Sequence, residues 1–170
     1  MIGKGKSISH GVAALEYDLA KEINGQAVAT EIARHELYGC TGAEMVQEMK
    51  PYHIDFPNVK NNCLRFEVSP SIEESATFTD ADWAELGNDF MQRMGLANHQ
   101  YIIIRHSGTE SKKEQAHLHI LANRVSLSGE LYRDNWIGKK ATEAANAIAK
   151  ERTLYSRRTL AKSTKRKSRK

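Results

Sequence analysis

Three of the seven histidines in the sequence have a spacing that suits a metal site. His117 and His119 are two residues apart in a strand-like segment, so both imidazoles are expected on one face of that strand. Leu118 and Ile120 then face the opposite side. His106 ends the preceding strand-like segment, and if the two strands pair, three imidazoles converge on one divalent cation. The alternative is that the histidines are ordinary polar residues on the exposed face of a sheet.

A cation held by three imidazoles keeps coordination positions open for substrate oxygens, which indicates phosphoryl chemistry. The cation would polarise a phosphodiester oxygen and stabilise the charge that builds on phosphorus. Such a site also needs a nucleophile, either a metal-activated water or a side chain. The sequence contains no GxxxxGK[ST] motif, so use of a nucleoside triphosphate is not expected.

Tyr17 is the candidate for a side-chain nucleophile. We predict a first helix over about Gly11 to Ile23. Its apolar stripe consists of Val12, Leu15, Leu19 and Ile23. At 100° per residue Tyr17 lies nearly opposite this stripe, so it is either a plain surface residue or a group that faces a ligand. A free phenol has a pKa near 10 and is a poor nucleophile unless a cation or a base assists its deprotonation. The other tyrosines compete for the role, although Tyr101 has the setting of a strand core.

The remaining periodic segments predict the elements that position these residues. In chain order they are Thr41–Lys50 (helix), Asn62–Ser69 (strand), Thr79–Gly95 (helix), Tyr101–Arg105 (strand), Ala116–Val125 (strand) and Ala141–Lys150 (helix). Capping-box spacing predicts the helices that begin at Thr41 and Thr79, and alanine content predicts the last helix. Alternation and β-prone residues predict the strands. This order predicts an α+β fold, with a central, mostly antiparallel sheet, helices packed on one face and the other face open for a ligand.

Charge is distributed unevenly along the chain. Residues 139–170 contain 12 Lys and Arg against two Glu, a net charge of +10, whereas the other residues have a net charge of −6. A basic C-terminal arm on a mildly acidic body is typical of proteins that bind a polyanion, most often nucleic acid. The alternative is a solvated, disordered tail.

Composition excludes several classes of protein. The hydrophobic fraction of 40% is enough for a core. No apolar run approaches the about 20 residues of a membrane span, and the N-terminus has no signal-peptide pattern. Cys40 and Cys63 cannot make a disulfide framework. We therefore expect a soluble, cytoplasmic protein of a reducing compartment with no membrane partner.

Three stretches of the sequence resemble the relaxases, the mobilisation-protein branch of the HUH nucleases, which are built around a histidine-hydrophobic-histidine motif. Gly5–Tyr17 is similar to the glycine- and serine-containing stretch that leads to the family's tyrosine. Thr79–His106 is similar to its helix with a tryptophan and a Met-Gly ending, followed by an apolar strand that ends in histidine. Ala116–Val125, the most specific of the three, is similar to its metal-binding strand with a trailing Asn-Arg.

The resemblance implies an enzyme that nicks one strand of DNA at an origin of transfer of a plasmid or transposon and can later rejoin the ends. It implies that Tyr17 attacks the phosphodiester and stays linked to the 5′ phosphate. It implies that His106, His117 and His119 bind Mg²⁺ or Mn²⁺. The implied partners are single-stranded or supercoiled origin DNA and accessory mobilisation proteins. The expected organisation is a relaxase catalytic domain over residues 1–152 and a basic, flexible arm over residues 153–170.

The sequence departs from the family at one acidic position. Relatives often have an acid two residues after the first histidine, where this chain has Gly108. Glu110 and Glu67 are therefore the candidates for an acid that orients a ligand or carries a proton. The candidate DNA-binding residues are Asn123, Arg124, Lys139, Lys140, Arg157 and Arg158.

Two alternative functions share part of this pattern. A metal nuclease that uses activated water would keep the histidines and cleave DNA without a covalent adduct. A non-catalytic DNA-binding protein would act through the basic arm, and its histidines would be incidental.

Overall fold

The computed structural model describes residues 1–108 and 115–167, with side chains described as far as Thr153. Its elements are β1 (Ile2–Ile8), α1 (Gly11–Leu19), β2 (Glu22–Ile23), β3 (Gln26–Ala27), β4 (Ala29–His35), α2 (Gly42–Met49), β5 (Cys63–Ser69), α3 (Ile72–Ser75), α4 (Asp80–Arg93), β6 (His99–His106), β7 (His117–Ser126) and α5 (Ile137–Lys167). A 3₁₀ turn, Lys50–His53, follows α2.

Five of the strands form one antiparallel sheet in the order β1-β5-β7-β6-β4. Strands β2 and β3 form a separate hairpin. The predicted α+β class and antiparallel sheet are confirmed. Because β7 lies in the centre of the sheet, both of its faces are available for packing or for a site.

Alternation along the strands divides the side chains between two faces of the sheet. The face covered by α4 and α5, called here the α4/α5 face, carries the apolar side chains Leu64, Phe66, Val68, Tyr101, Ile103, Leu118, Ile120 and Ala122. A pair of helices thus covers one face, as predicted. The opposite face, called here the histidine face, carries His106, His117 and His119, and its residues Ile102, Ile104 and Leu121 pack against α1 and α2.

Two glycines in β1 allow α5 to approach the sheet closely. A Cβ atom at Gly3 would lie 2.3 Å from the carbonyl oxygen of Ala141, and one at Gly5 would lie 2.7 Å from the Phe66 ring. Since side chains alternate along a strand, Lys4 and Lys6 project from the histidine face. The glycine-lysine alternation of the N-terminus therefore serves helix packing on one side and leaves two cations on the other.

Helix α1 is shorter than predicted. It ends at Leu19 rather than Ile23, and the next residues form the β2–β3 hairpin. Asn24 and Gly25, with φ of 53° and 76°, are the two central residues of that hairpin. Asn-Gly is a strong signal for a two-residue turn, because both positions require a positive φ.

The buried side of α1 also differs from the predicted stripe. Its buried residues are Gly11, Ala14, Leu15 and Asp18. Val12 is 40% exposed, because the helix is rotated so that its small residues face the core. The consequence is that a carboxylate, Asp18, is buried at the end of this helix.

Strands β1 and β4 are absent from the predicted element order. Both lie at edges of the sheet, and glycine, lysine, glutamate and arginine give them weak strand propensity. Pairing with β5 and β6 determines their conformation. The central strands and the capping boxes of α2 and α4 are where the sequence predicts them, whereas α5 begins at Ile137 instead of Ala141.

Candidate metal centre and active site

Pairing of β6 with β7 brings the three histidines together on the histidine face. His106 is the direct cross-strand partner of His117, and His119 lies two residues farther along β7. The ring centroids of His106 and His119 are 4.4 Å apart, and those of His117 and His119 are 4.8 Å apart. One potential ligand nitrogen from each ring lies within 4.8 Å of the others. The predicted convergence of three imidazoles is confirmed.

Two backbone carbonyls fix which nitrogen carries the proton on two of these rings. His106 Nε2 lies 2.7 Å from the carbonyl oxygen of Asp18, and His117 Nδ1 lies 2.8 Å from that of Gln115. A carbonyl oxygen only accepts hydrogen bonds, so each of these nitrogens donates. The other nitrogen of each ring, His106 Nδ1 and His117 Nε2, then presents a lone pair.

The donor set fits a divalent cation. His117 Nε2 and His119 Nε2 are 3.0 Å apart. At this separation the two nitrogens can share a hydrogen bond, and a divalent cation could take the place of the shared proton. The Nδ1 atom of His106 is buried and has no hydrogen-bond partner in the described part of the chain. These residues could therefore hold a metal ion.

Burial favours the neutral form of His106 and His119, which is the form that binds a metal. Desolvation, followed by repulsion from His106 and His117, lowers the pKa of His119 to about 2. Desolvation also lowers the pKa of His106, although the hydrogen bond to the Asp18 carbonyl acts in the opposite direction. Both rings are therefore neutral at neutral pH, and each has one nitrogen with a lone pair.

Asp18 connects α1 to this cluster, and it is not among the residues predicted from the sequence. Besides the contact of its carbonyl with His106, its carboxylate accepts two hydrogen bonds from Arg65 at 2.6 and 3.1 Å. Its Oδ1 lies 3.8 Å from His119 Nδ1. A charged residue three positions after Leu15, on the buried side of a helix, was the available signal.

Tyr17 is the residue immediately before Asp18, and its side chain is 63% exposed. Its backbone is therefore one residue from a group that contacts His106. The exposed phenol agrees with the predicted position of Tyr17 away from the apolar side of α1. The end of α1 thus joins an exposed tyrosine to the buried residue that contacts the three-histidine cluster.

Comparison with known families adds to this geometry. The model of the MobA/VirD2-like relaxase nuclease domain matches residues 17–154. This chain belongs to the MobA/VirD2-like relaxases. The match begins at Tyr17, contains all three histidines, and confirms the resemblance found in the sequence. No curated protein matches the chain. Membership implies a metal-dependent, DNA-nicking nuclease domain with a DNA substrate.

One of the two candidate acids of this relaxase lies beside the histidines. Glu67 on β5 is the direct cross-strand partner of His119. Its carboxylate accepts a hydrogen bond from Lys4 at 3.0 Å. Glu110 lies outside the described residues. The sheet therefore brings Glu67 close to the relaxase centre.

Two of the candidate DNA-binding residues have internal partners. Asn123 is fully buried; its amide donates to Gln100 and accepts from His53 and the Val125 amide. Arg124 donates to the Tyr132 and Asn61 carbonyls and to the Asp134 carboxylate. Asn123 and Arg124, the trailing Asn-Arg of the relaxase motif, thus connect β7 to neighbouring segments of the protein.

The other candidates lie on α5. Lys139 is 3.9 Å from Glu143, and Lys140 donates to the Arg133 carbonyl. Arg157 and Arg158 belong to the same helix, but their side chains lie outside the description. Among the described residues, this relaxase has no helix that is both long and apolar enough to cross a membrane.

Proposed function

We propose that this protein is a metal-dependent transesterase that nicks one strand of DNA at an origin of transfer. In this proposal Tyr17 is the nucleophile and forms a covalent 5′-phosphotyrosine intermediate. The reaction serves mobilisation of a plasmid or transposon, together with accessory mobilisation proteins. The observation that supports it most is the contact of Asp18, the neighbour of Tyr17, with His106.

The nicking step exchanges one phosphorus–oxygen bond for another. The Tyr17 oxygen forms a bond to phosphorus, and the bond between phosphorus and the 3′ oxygen breaks. The products are a 5′-phosphotyrosine and a free 3′ hydroxyl. Because one phosphoester replaces another, the 3′ hydroxyl can later reverse the reaction and rejoin the strand.

The proposed proton carrier is Glu67, because it lies opposite His119 in the sheet. Its carboxylate accepts the phenol proton of Tyr17 and returns it to the departing 3′ oxygen. The Asp18 carbonyl holds the imidazole of His106 by accepting its Nε2–H, while Arg65 holds the Asp18 carboxylate, which faces His119 Nδ1 from 3.8 Å. These residues orient the reacting groups, and orientation alone contributes strongly to rate.

We propose that the site takes Mg²⁺ or Mn²⁺, which would supply Lewis-acid polarisation of a phosphate oxygen when bound. His106, His117 and His119 would hold it. Three imidazoles favour Mn²⁺ over Mg²⁺, because Mg²⁺ prefers oxygen ligands.

The test is a denaturing gel of the protein with origin DNA that carries a label on its 3′ end. With Mn²⁺ we expect a labelled band at the mass of a protein–DNA adduct, and no such band for Tyr17→Phe. Tyr38→Phe is the matched control, since Tyr38 is also an exposed tyrosine. An adduct of undiminished yield in Tyr17→Phe would reject the assignment of the nucleophile.

The same gel separates the two alternative functions. A water-using metal nuclease would cleave the labelled strand in both Tyr17→Phe and the wild type, without an adduct in either. A non-catalytic DNA-binding protein would leave the strand intact, and His117→Ala would not change its DNA binding.

We further propose that residues 1–152 form the catalytic domain and that the basic residues 153–170 contact DNA phosphates, with Lys139, Lys140, Arg157 and Arg158 as contributors. Each lost phosphate contact reduces the dependence of affinity on salt. Deletion of residues 164–170 should therefore flatten the slope of log affinity against log salt concentration. An unchanged slope would contradict a role of the arm in DNA binding.

A further inference from the structure

A groove of about 230 Å³ lies on the histidine face beside His119, where strands β1 and β5 pair. Its polar lining consists of Lys4, Lys6, Arg65, Glu67 and His119. The proposed nicking step uses only the side of this groove nearest the histidines. The proposed function assigns no role to the rest of the groove.

Strand register determines how far the groove extends from the histidines. His119 pairs with Glu67, and Glu67 pairs with Lys4, so these three residues form one row across β7, β5 and β1. Lys6 and Arg65 form the start of the next row. Because neighbouring strands are about 4.8 Å apart, the backbone of Lys4 lies about 10 Å from that of His119, and Lys6 lies one row farther along β1.

The groove has an excess of positive charge. Lys4 is paired with Glu67, and Arg65 is held by Asp18 behind the groove. Lys6 is exposed and has no ion pair or side-chain hydrogen bond within residues 1–108 and 115–153. A fixed guanidinium at the base and an unpaired ammonium at the rim are suited to an anion.

The groove is not suited to a nucleobase. Stacking of a base requires an exposed aromatic face. Phe66 belongs to the segment that lines the groove, but its ring is 1% exposed and packs on the α4/α5 face against Phe90. A ligand in the groove would therefore contact mainly its charged side chains.

We propose that this groove binds a phosphate of the DNA strand that flanks the phosphate to be cut, with Lys6 as its principal ligand and Arg65 as a fixed charge at the base. Lys6 lies two strands away from His119, so the phosphate that it would contact is a neighbour of the one held at the histidines. This inference rests on the proposed function, because the occupant is the DNA strand on which that function acts.

The test measures binding without cleavage. A fluorescent oligothymidylate of about 20 nucleotides is titrated with the full chain in EDTA, and anisotropy is recorded over a range of salt concentrations. For Lys6→Gln we expect affinity to fall about 5-fold, as for the loss of one exposed ion pair. The slope of log affinity against log salt should decrease in magnitude by about 0.7, which corresponds to one phosphate contact.

Two further variants make the result specific. Lys6→Arg keeps the charge and should restore both affinity and slope. Lys60→Gln removes an exposed lysine from the loop before β5 and should change neither. If Lys6→Gln behaves like Lys60→Gln, the groove does not bind a phosphate.

This test and the test of the nicking step fail independently. Binding in EDTA needs neither Tyr17 nor a metal. If an adduct forms on Tyr17 and Lys6→Gln has no effect on binding, only the proposal that the groove binds a phosphate is rejected. If the affinity for the oligonucleotide depends on Lys6 but no adduct forms, the phosphate site is supported and the transesterase is rejected.

Discussion

The carboxylate of Asp18 accepts two hydrogen bonds from the guanidinium of Arg65, at 2.6 and 3.1 Å, and thereby connects helix α1 to strand β5. Asp18 is 2% exposed, so most of this ion pair lies inside the protein. The same residue contacts His106 through its carbonyl oxygen. Asp18 therefore connects the tyrosine helix both to β5 and to the histidine strands, in addition to the apolar contacts of α1 with the sheet.

Asp18→Asn should reduce both stability and nicking. The substitution replaces a charged acceptor by a neutral one and leaves the partly buried Arg65 without its counter-charge. Loss of hydrogen bonds to a charged group predicts a fall of about 2 kcal/mol in the free energy of unfolding. The nicking rate should fall as well, because His119 loses the carboxylate that faces its Nδ1. Urea unfolding and single-turnover nicking measure the two effects.

The matched control is Asp89→Asn, which removes a carboxylate from an exposed pair with Arg93 on α4. Such a pair contributes about 0.5 kcal/mol. Equal losses of stability in the two variants would mean that burial of the Asp18–Arg65 pair has no energetic importance.

Mn²⁺ should stabilise the folded protein. A ligand that binds only the native state, at about 100 times its Kd, adds about 2.7 kcal/mol, which raises Tm by roughly 8 °C for a chain of this size. Mg²⁺ at the same concentration should have a smaller effect, because imidazole is a poor ligand for it. Thermal unfolding with each metal measures the difference.

His117→Ala should remove the effect of Mn²⁺ on Tm. His10→Ala should retain it, because His10 precedes the first residue of α1, about 12 Å along the helix from Asp18. A rise in Tm that persists in His117→Ala would place the metal elsewhere.

Gly3→Ala should destabilise the contact between β1 and α5. The added Cβ would lie 2.3 Å from the Ala141 carbonyl oxygen and 2.8 Å from the Ala145 Cβ, so the helix must shift. Overpacking of this kind costs about 1–3 kcal/mol. Gly138→Ala is the control, since its Cβ would meet only the Gly5 carbonyl oxygen at 3.6 Å and alanine favours a helix. A Gly3→Ala protein as stable as Gly138→Ala would contradict the close approach.

Only one of the two cysteines should react with a thiol reagent in the native protein. Cys63 is fully buried, and desolvation raises the pKa of its thiol to about 11, so almost no thiolate forms at pH 8. Cys40 is exposed. Titration with Ellman's reagent should give one equivalent before unfolding and two after it. Native Cys40→Ser should give none, and prompt reaction of that variant would mean that β5 opens readily.

The histidine site was predictable because local rules place its members. Alternation put His117 and His119 on one face, and a loop of limited length made pairing with the strand that ends at His106 the expected arrangement. Capping boxes likewise marked α2 and α4, since a cap depends on residues three positions apart.

The edge strands and the end of α1 were not predictable in this way. β1 and β4 are strands because β5 and β6 offer unpaired backbone groups, which a residue-by-residue pattern does not contain. Their absence from the prediction also concealed the groove, because its lysines come from β1.

By itself, the sequence determined the sheet class and the histidine face, since each depends on spacing within short segments, and its motifs resembled those of the relaxase family. Only the tertiary structure decided that Asp18, Arg65 and Glu67 join the histidines and that Asn123 lies inside. These residues are far apart in the chain and become neighbours only when the strands pair and α1 packs on the sheet. Such contacts are a property of the whole sheet, so no short segment of the sequence contains them.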